Sequence, residues 1–259
     1  MTTWVFTLAL CSLLALLIFL ARKMRAMGRK LGHVSRDLGQ LQKELRKGLK
    51  ETDANQWQHY RQSEIHAQLL NLLNFTQPIP PTRSWAASPD LLMTLVENVQ
   101  AHQPKFIVEL GSGISTLVLA KSLPAGSQSK IISFDHSAEF AQVTRNVLAQ
   151  HSIAGVEIRV APLEQYDAER TWYSRKAFTD ISQIDLLVID GPPGSKDPKA
   201  RTGALLELTS KLSPKAVVII DDANREGEHA MAESFAKAMP GHTLRFLPHE
   251  KGTAVISPS

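Results

Sequence analysis

The stretch Phe106 to Thr116, FIVELGSGIST, limits the fold more than any other part of this chain, because an apolar strand runs directly into a glycine turn that opens a helix. Phe106, Ile107, Val108 and Leu110 read as a strand covered on both faces, as in a parallel sheet, with Glu109 as its lone charge. Gly111 and Gly113 allow positive φ and let a ligand approach the backbone where a side chain would collide. Ser115 and Thr116 are placed to cap the helix that continues through Leu117, Val118, Leu119 and Ala120. Free N–H groups at that helix start would face an anionic group on a ligand.

The rest of the series follows the rhythm of alternating strands and helices. Ile131 to Asp135 is a second apolar strand that ends in a carboxylate. Asp135 is placed to accept both ribose hydroxyls of a nucleoside lying across the crevice, and equally to cap the helical run beginning at Ser137. Val156 to Val160, Ile184 to Asp190 and Ala216 to Asp222 give three more strands. Glu139 to Gln150, Lys199 to Leu212 and Glu226 to Met239 have helical composition and apolar spacing. Thr243 to Leu247 and Thr253 to Ile256 are too close for a crossover helix between them, so they should pair antiparallel. Asp135, Asp190 and the pair Asp221 and Asp222 all fall at strand C-termini, which share one rim in an open α/β sheet.

In combination and in order, these segments resemble the motifs of class I S-adenosylmethionine-dependent methyltransferases, from about Pro78 to the C-terminus. VELGSG resembles the glycine-rich first motif, the acid of SFDH the ribose-binding acid, VIDGPPG the motif beside the transferring methyl, and VIIDDANR the following strand end. PPTRSWAASPDLL looks like the lead-in of a branch with small or unassigned substrates. The resemblance implies a Rossmann-like α/β sheet, mostly parallel, with an antiparallel last strand. It implies that Glu109, Gly111, Ser112 and Gly113 hold the methionine part of S-adenosyl-L-methionine, and Asp135 its ribose. His136 with Ala161, Pro162 and Leu163 would hold the adenine, and Asp190 would sit near the sulfonium and the acceptor.

Transfer from a sulfonium asks mainly that donor and acceptor be held in line. A base matters when the acceptor is a protonated oxygen or nitrogen, and Asp190 and Asp221 are the carboxylates expected to act there. Catechol-type O-methyltransferases bind magnesium with an acid and an Asp-Asn pair at the corresponding strand ends. Asp190, Asp221 and Asp222 fall similarly and could suit a hard divalent ion, or could simply cap the turns around Gly191 and Ala223. Two other functions compete. An NAD(P)-dependent oxidoreductase is disfavoured by Thr116 at the third glycine position of G-x-G-x-x-G and by the terminal hairpin. A non-catalytic membrane scaffold that retains the fold is disfavoured by intact Gly111, Gly113 and Asp135. No motif identifies the methyl acceptor.

Trp4 to Ala21 carries no charge and would span about 27 Å as a helix, close to the hydrocarbon core of a bilayer. Arg22, Lys23, Arg25, Arg29 and Lys30 follow it directly, which predicts a single-pass anchor with the C-terminal side in the cytoplasm. A cleaved signal peptide would want a basic leader and a small-residue cleavage site, and neither is evident. Residues 1–50 hold ten Lys or Arg against two acids, whereas residues 51–259 hold 19 against 23, so the basic charge belongs to the membrane end. That distribution, without a nucleic-acid motif, argues against a nucleic-acid partner. Cys11 is the only cysteine, which excludes an intrachain disulfide.

Leu31, Val34, Leu38, Leu41 and Leu45 repeat at three-and-four spacing, as in a short coiled coil that could form a homodimer or a solvated helical spacer. Gly48, Thr52 and Asn55 interrupt that seam, and Pro78, Pro80 and Pro81 stop any helix. The expected organisation is an anchor over 1–22, a basic and helical spacer over 23–76, and the sheet domain over 77–259. Trp85, Ser88 and Pro89 are read either as acceptor-pocket wall or as an ordinary helix start, and Asp167 to Thr179 as a lid or a cover.

Overall fold

A computed structural model describes residues 2–168, 170–194, 197 and 199–259, and the side chains of residues 2–5 and 9 fall outside that description. Met1 and the Trp4 side chain, which belong to the expected anchor, therefore lie outside the described parts. The chain divides into two compact units, Met1–His59 and Tyr60–Ser259.

The first unit is the larger part of helix α1 (Thr2–Leu72). Its apolar stretch is long and apolar enough to cross a membrane by length and composition, and Phe6, Leu13, Leu17 and Phe19 are exposed along it. The helix continues through Gly48, Thr52 and Asn55, with the Thr52 hydroxyl donating to the Gly48 carbonyl at 2.8 Å. Those residues thus break the apolar seam without breaking the helix. Leu31, Val34, Leu38, Leu41 and Leu45 are all exposed in the single chain.

The second unit takes in the last turns of α1 and then α2 (Pro89–His102), β1 (Phe106–Leu110), α3 (Ile114–Ser122), β2 (Lys130–Asp135) and α4 (Ala138–Gln150). It continues with β3 (Val156–Val160), the short β4 (Leu163–Gln165) and β5 (Thr171–Tyr173), β6 (Ile184–Ile189) and α5 (Thr202–Leu208). β7 (Leu212–Asp221), α6 (Glu226–Ala238), β8 (His242–Leu247) and β9 (Thr253–Pro258) complete it. Seven strands form one sheet in the order β3-β2-β1-β6-β7-β9-β8. All pairs are parallel except those of β9 with β7 and β8, as the short spacing of the last two strands requires.

Alternation along each strand divides the core into two layers. Ile107, Ile131, Leu186 and Ile219 face one cluster with Leu69 and Leu73 of the chain's early part, Leu91 and Leu95 of α2, and Leu117 of α3. Val108, Ile132, Leu187 and Val218 face the other, with Trp172, Phe178 and Phe235. A hairpin of β4 and β5, instead of a helix, leads from β3 toward β6. Its Trp172 and Tyr173 are buried, and the Phe178 ring stacks on Trp172 at 4.8 Å and on Phe134 at 4.1 Å. The segment read as a lid or a cover therefore contributes its aromatic residues to the core.

The expected helix over Lys199 to Leu212 is shorter, because Thr209–Lys211 tightens into a 3-10 turn and β7 begins at Leu212. β1 lies between β2 and β6, so the chain winds away from it in both directions and opens a crevice at its C-terminal end. Backbone bonds from Gly111 N–H to the Phe134 carbonyl (2.8 Å) and from Asp190 N–H to the Leu110 carbonyl (2.9 Å) bring three strand ends level on one rim.

Candidate active site

Gly111 has φ +97, and a Cβ there would sit 3.1 Å from the Asp190 carbonyl carbon and oxygen. Glycine is thus needed for both the backbone turn and the close passage of the next strand end. Gly113 behaves differently from the sequence expectation, since its φ of 168 is ordinary extended backbone. A Cβ there would meet nothing within 4 Å, so that face of the turn is open. Helix α3 starts at Ile114, and Thr116 reaches back to accept from Gly113 N–H at 3.0 Å, which makes it the residue that closes the turn.

Glu109 points onto the α3 side of the sheet, where the hydroxyls of Thr116 (2.5 Å) and Ser133 (2.6 Å) both donate to its Oε2. Oε1 is buried without a hydrogen-bond partner among the described residues. Burial pushes this carboxyl up to about 7 against the pull of the surrounding hydroxyls. A folded-state pKa above the unfolded one contributes stability that is full below the unfolded value of 4.5 and is lost as pH rises through about 7. Glu109→Gln should therefore flatten the pH dependence of unfolding and gain about 2 kcal/mol relative to the parent on going from pH 5 to pH 8. Thermal melts of the two proteins at both pH values test this, and parallel curves would contradict it.

Asp135 ends β2 with a carboxylate oriented from both sides. Ser112 donates to its Oδ2 through its hydroxyl (2.6 Å) and backbone N–H (3.3 Å), and Ser137 N–H donates to Oδ1 at 2.9 Å. Ser137 in turn caps α4 by accepting from Phe140 N–H. The helix-start and ligand readings of Asp135 are compatible, because these bonds use three of the carboxylate's four lone-pair directions and leave one on Oδ1. His136 stands beside it, with Nδ1 at 3.5 Å from Asp135 Oδ1.

At the ends of β6 and β7, ligand atoms of Asp190, Asp221 and Asp222 lie within 4.8 Å of one another. Such a set of oxygens matches a hard cation, but the chain supplies its own counter-charges. The Arg201 guanidinium, almost fully buried just before α5, lies 2.9 Å from Asp222 Oδ2, 3.3 Å from Asp190 Oδ1 and 3.7 Å from Glu228 Oε1. It also donates to the backbone carbonyls of Asp190, Pro192 and Asp221. Lys251, from the turn between β8 and β9, lies 3.3 Å from Asp221 Oδ2 and donates to the Ala86 carbonyl. That turn is pinned by Glu250, whose N–H donates to Asp90 and whose carboxylate takes a forked pair of bonds from Arg83. Burial and the Asp221 carboxylate push Asp190 well above the usual carboxylate range, with Arg201 and Lys251 opposing them. Burial likewise raises Asp221, against Lys251.

These groups surround a cavity of about 1200 Å³. Of the residues singled out from sequence, Gly111, Ser112, Gly113, Ser115, Asp135, His136, Asp190 and Asp222 line it. Glu109 and Asp221 are buried behind the lining, each joined to it by a neighbour, Thr116–Gly113 for the first and Lys251 for the second. Ala161, Pro162 and Leu163 are not part of the lining, and Ala161 is buried in the core layer that includes Phe134. Trp85 is 81% exposed and borders the cavity with Pro80, Pro81 and Phe140, whereas Ser88 is buried and donates to Asp90. The pocket-wall reading thus suits Trp85 and the helix-start reading suits Ser88. Arg201, Lys251 and Tyr173 also line the cavity and carry no sequence motif. Their only signal is topological, since each lies in a segment that the sheet order returns to the same rim.

Residues 108–223 match the family described as Methyltransferase domain. An O-methyltransferase from Bacillus cereus in complex with SAH is 18% identical, with a TM-score of 0.52, 75% of this chain and 90% of that chain covered. An SAH-bound methyltransferase from Podospora anserina is 16% identical with a TM-score of 0.51, covering 75% of this chain and 88% of its own. The O-methyltransferase TomG from Streptomyces achromogenes, in complex with SAM, is 16% identical with a TM-score of 0.50 and coverage of 76% and 89%. Comparison with curated proteins found no match.

Proposed function

We propose that this chain is a membrane-anchored class I S-adenosylmethionine-dependent methyltransferase that transfers a methyl group to an oxygen or nitrogen of a separate acceptor, a reading supported by the Methyltransferase domain match over residues 108–223. The observation that carries this reading is the arrangement around one cavity: the open Gly113 turn, the α3 N-terminus and Asp135 at one part, Asp190 at another. S-adenosyl-L-methionine would supply an activated methyl on a sulfonium. Gly111 and Gly113 leave backbone room for its methionine part, and Ile114 and Ser115 bring the α3 N-terminus to the cavity wall. Asp135, fixed by Ser112 and Ser137, accepts from the ribose hydroxyls. Trp85, Pro80, Pro81 and Phe140 give part of the wall an apolar surface against which a ring or chain can lie. Asp190 holds or removes the acceptor's proton, and Asp221 adjusts how readily it does so. The buried Arg201 keeps these acids in place.

Calorimetry on the full-length protein in detergent is the direct test. S-adenosylmethionine and S-adenosylhomocysteine should bind, NAD should not, and Asp135→Ala should weaken the first two by tenfold or more, which is at least about 1.4 kcal/mol. NAD binding without S-adenosylmethionine binding would end this reading in favour of an oxidoreductase.

Anchoring is supported by the uncharged stretch in α1 and the five basic residues that follow it within Arg22 to Lys30. We place the sheet domain on the cytoplasmic side on the same ground. Deleting residues 1–22 should move the protein from the membrane to the soluble fraction. Full-length protein that stays soluble without detergent would remove the anchor from the proposal.

A further inference from the structure

Tyr173 ends β5 with its side chain 1% exposed, yet it lines the cavity. Its hydroxyl has no hydrogen-bond partner among the described residues. Placement of that oxygen is fixed by its surroundings. β5 is registered on β4 by the Leu163–Tyr173 pair, and Ser174 N–H donates to the Pro162 carbonyl at 2.8 Å. The Trp172 ring meets Tyr173 edge-on at 5.7 Å, and Phe178 lies 6.2 Å away. On the cavity side the hydroxyl fills the room that a Cβ on Gly191 would need, beside the Gly111 backbone.

A buried hydroxyl left unpaired costs about 1–3 kcal/mol. Phenylalanine would keep the ring contacts and avoid that cost, so packing alone does not account for the oxygen. Burial, reinforced by the Asp135 carboxylate, keeps the phenol protonated well above its ordinary range, and it is therefore a donor at any working pH. Among the charges around it Asp135 acts most strongly, ahead of Arg201, Asp190 and Glu109. The position itself is given by the backbone: the hydroxyl lies over Gly191 beside Gly111, and Gly111 N–H is bonded to the carbonyl of Phe134, the residue before Asp135, so the phenol stands by the strand ends that carry the ribose acid.

We infer that Tyr173 is a cofactor-binding residue whose hydroxyl donates to an oxygen of the cofactor's ribosyl end, an inference that rests on the methyltransferase reading above. Asp135 and Tyr173 then divide the sugar between them. The carboxylate accepts from its hydroxyls, and the phenol donates to an oxygen that no carboxylate can serve. The contact also closes an unsatisfied group of the free protein, so the gain on binding includes relief of a cost already present.

Tyr173→Phe in the full-length protein, in detergent, isolates the oxygen. Calorimetry with S-adenosylmethionine and with methylthioadenosine, which keeps the ribose and lacks the amino-acid carboxylate, should show both affinities falling by about tenfold. The melting temperature without ligand should stay the same or rise, because the variant removes an unpaired polar group. Unchanged affinity in the variant would overturn the inference and leave the methyltransferase reading standing. Weakening confined to S-adenosylmethionine would put the contact on the methionine part and overturn the ribosyl assignment. A fall of several degrees in the ligand-free melting temperature would make the hydroxyl structural. If the parent protein bound neither ligand, the methyltransferase reading would fall, and this one with it.

Discussion

Arg201→Met lowers the unfolding free energy by about 3–5 kcal/mol and abolishes methyl transfer, the largest effect expected of any single substitution in the sheet domain. The side chain is 6% exposed and pairs with Asp190, Asp222 and Glu228 while donating to three backbone carbonyls. Burial disfavours its charge, but the carboxylates of Asp190, Asp222, Glu228 and Asp221 outweigh burial and hold the guanidinium ionised. Methionine fills similar volume, so the loss measures the charge and not a cavity.

The pH dependence separates this account from a packing defect. Without Arg201 the carboxyls of Asp190, Asp221 and Glu228, already raised by burial, are pushed further above their unfolded values, and a raised carboxyl contributes stability that is present at low pH and lost as pH rises. Urea unfolding should show the deficit of the variant largest at pH 8 and smaller at pH 5. A deficit below about 1 kcal/mol, equal at both pH values, would show that the ion pairs contribute no more than exposed ones do. Arg201→Lys should recover only part of the loss, because an ammonium lacks the planar fork with which the guanidinium serves three carboxylates and three carbonyls at once. The variant also tests the metal question. With the guanidinium gone, Asp190, Asp221 and Asp222 become a better site for a hard divalent ion, so magnesium should raise the melting temperature of Arg201→Met and leave the parent unmoved.

What the sequence made legible here is local. Gly111, Asp135, Asp190 and the Asp221, Asp222 pair each sit where an apolar run stops, and a strand end can be read from its own neighbours. The antiparallel β8 and β9 followed from a connection too short for a helix. Arg201, Lys251 and Tyr173 were not legible, because Lys251 and Tyr173 lie outside the long periodic segments, Arg201 reads as one charge at the start of a helical run, and each reaches the site only through the order of the strands. β4 and β5 are three residues each, too short for alternation to register. Of the two properties expected of Gly113, positive φ is not what the turn uses, whereas the room beside its backbone is present. Thr116, noted as a departure from a dinucleotide fingerprint, occupies the third glycine position with a hydroxyl that ties Gly113 to Glu109. The continuity of α1 through Gly48 reflects how cheaply a long helix tolerates one glycine, at about 1 kcal/mol.

Asp190→Asn should reduce kcat by 10²- to 10⁴-fold while changing the affinity for S-adenosylmethionine by less than about threefold. The three carboxylates at the ends of β6 and β7 are distinguishable: Asp190 and Asp222 line the cavity, whereas Asp221 is 1% exposed behind it, and the Asp222 Oδ2 is taken by Arg201 at 2.9 Å and Arg225 at 3.0 Å. Asp190 is therefore the one within reach of an acceptor. Its raised pKa, caused by burial and then by Asp221, makes it a stronger base once ionised than an exposed aspartate would be. Activity of the parent should accordingly rise with pH as Asp190 loses its proton, and that limb should vanish in Asp190→Asn. Asp221→Asn supplies the complementary result. Removing the neighbouring negative charge lets Asp190 ionise more easily, so the limb should move to lower pH while the maximum rate changes less than in Asp190→Asn. A normal rate in Asp190→Asn with the acidic limb intact would mean that the acceptor arrives already deprotonated or gives its proton elsewhere, and Asp190 would then serve only to anchor Arg201.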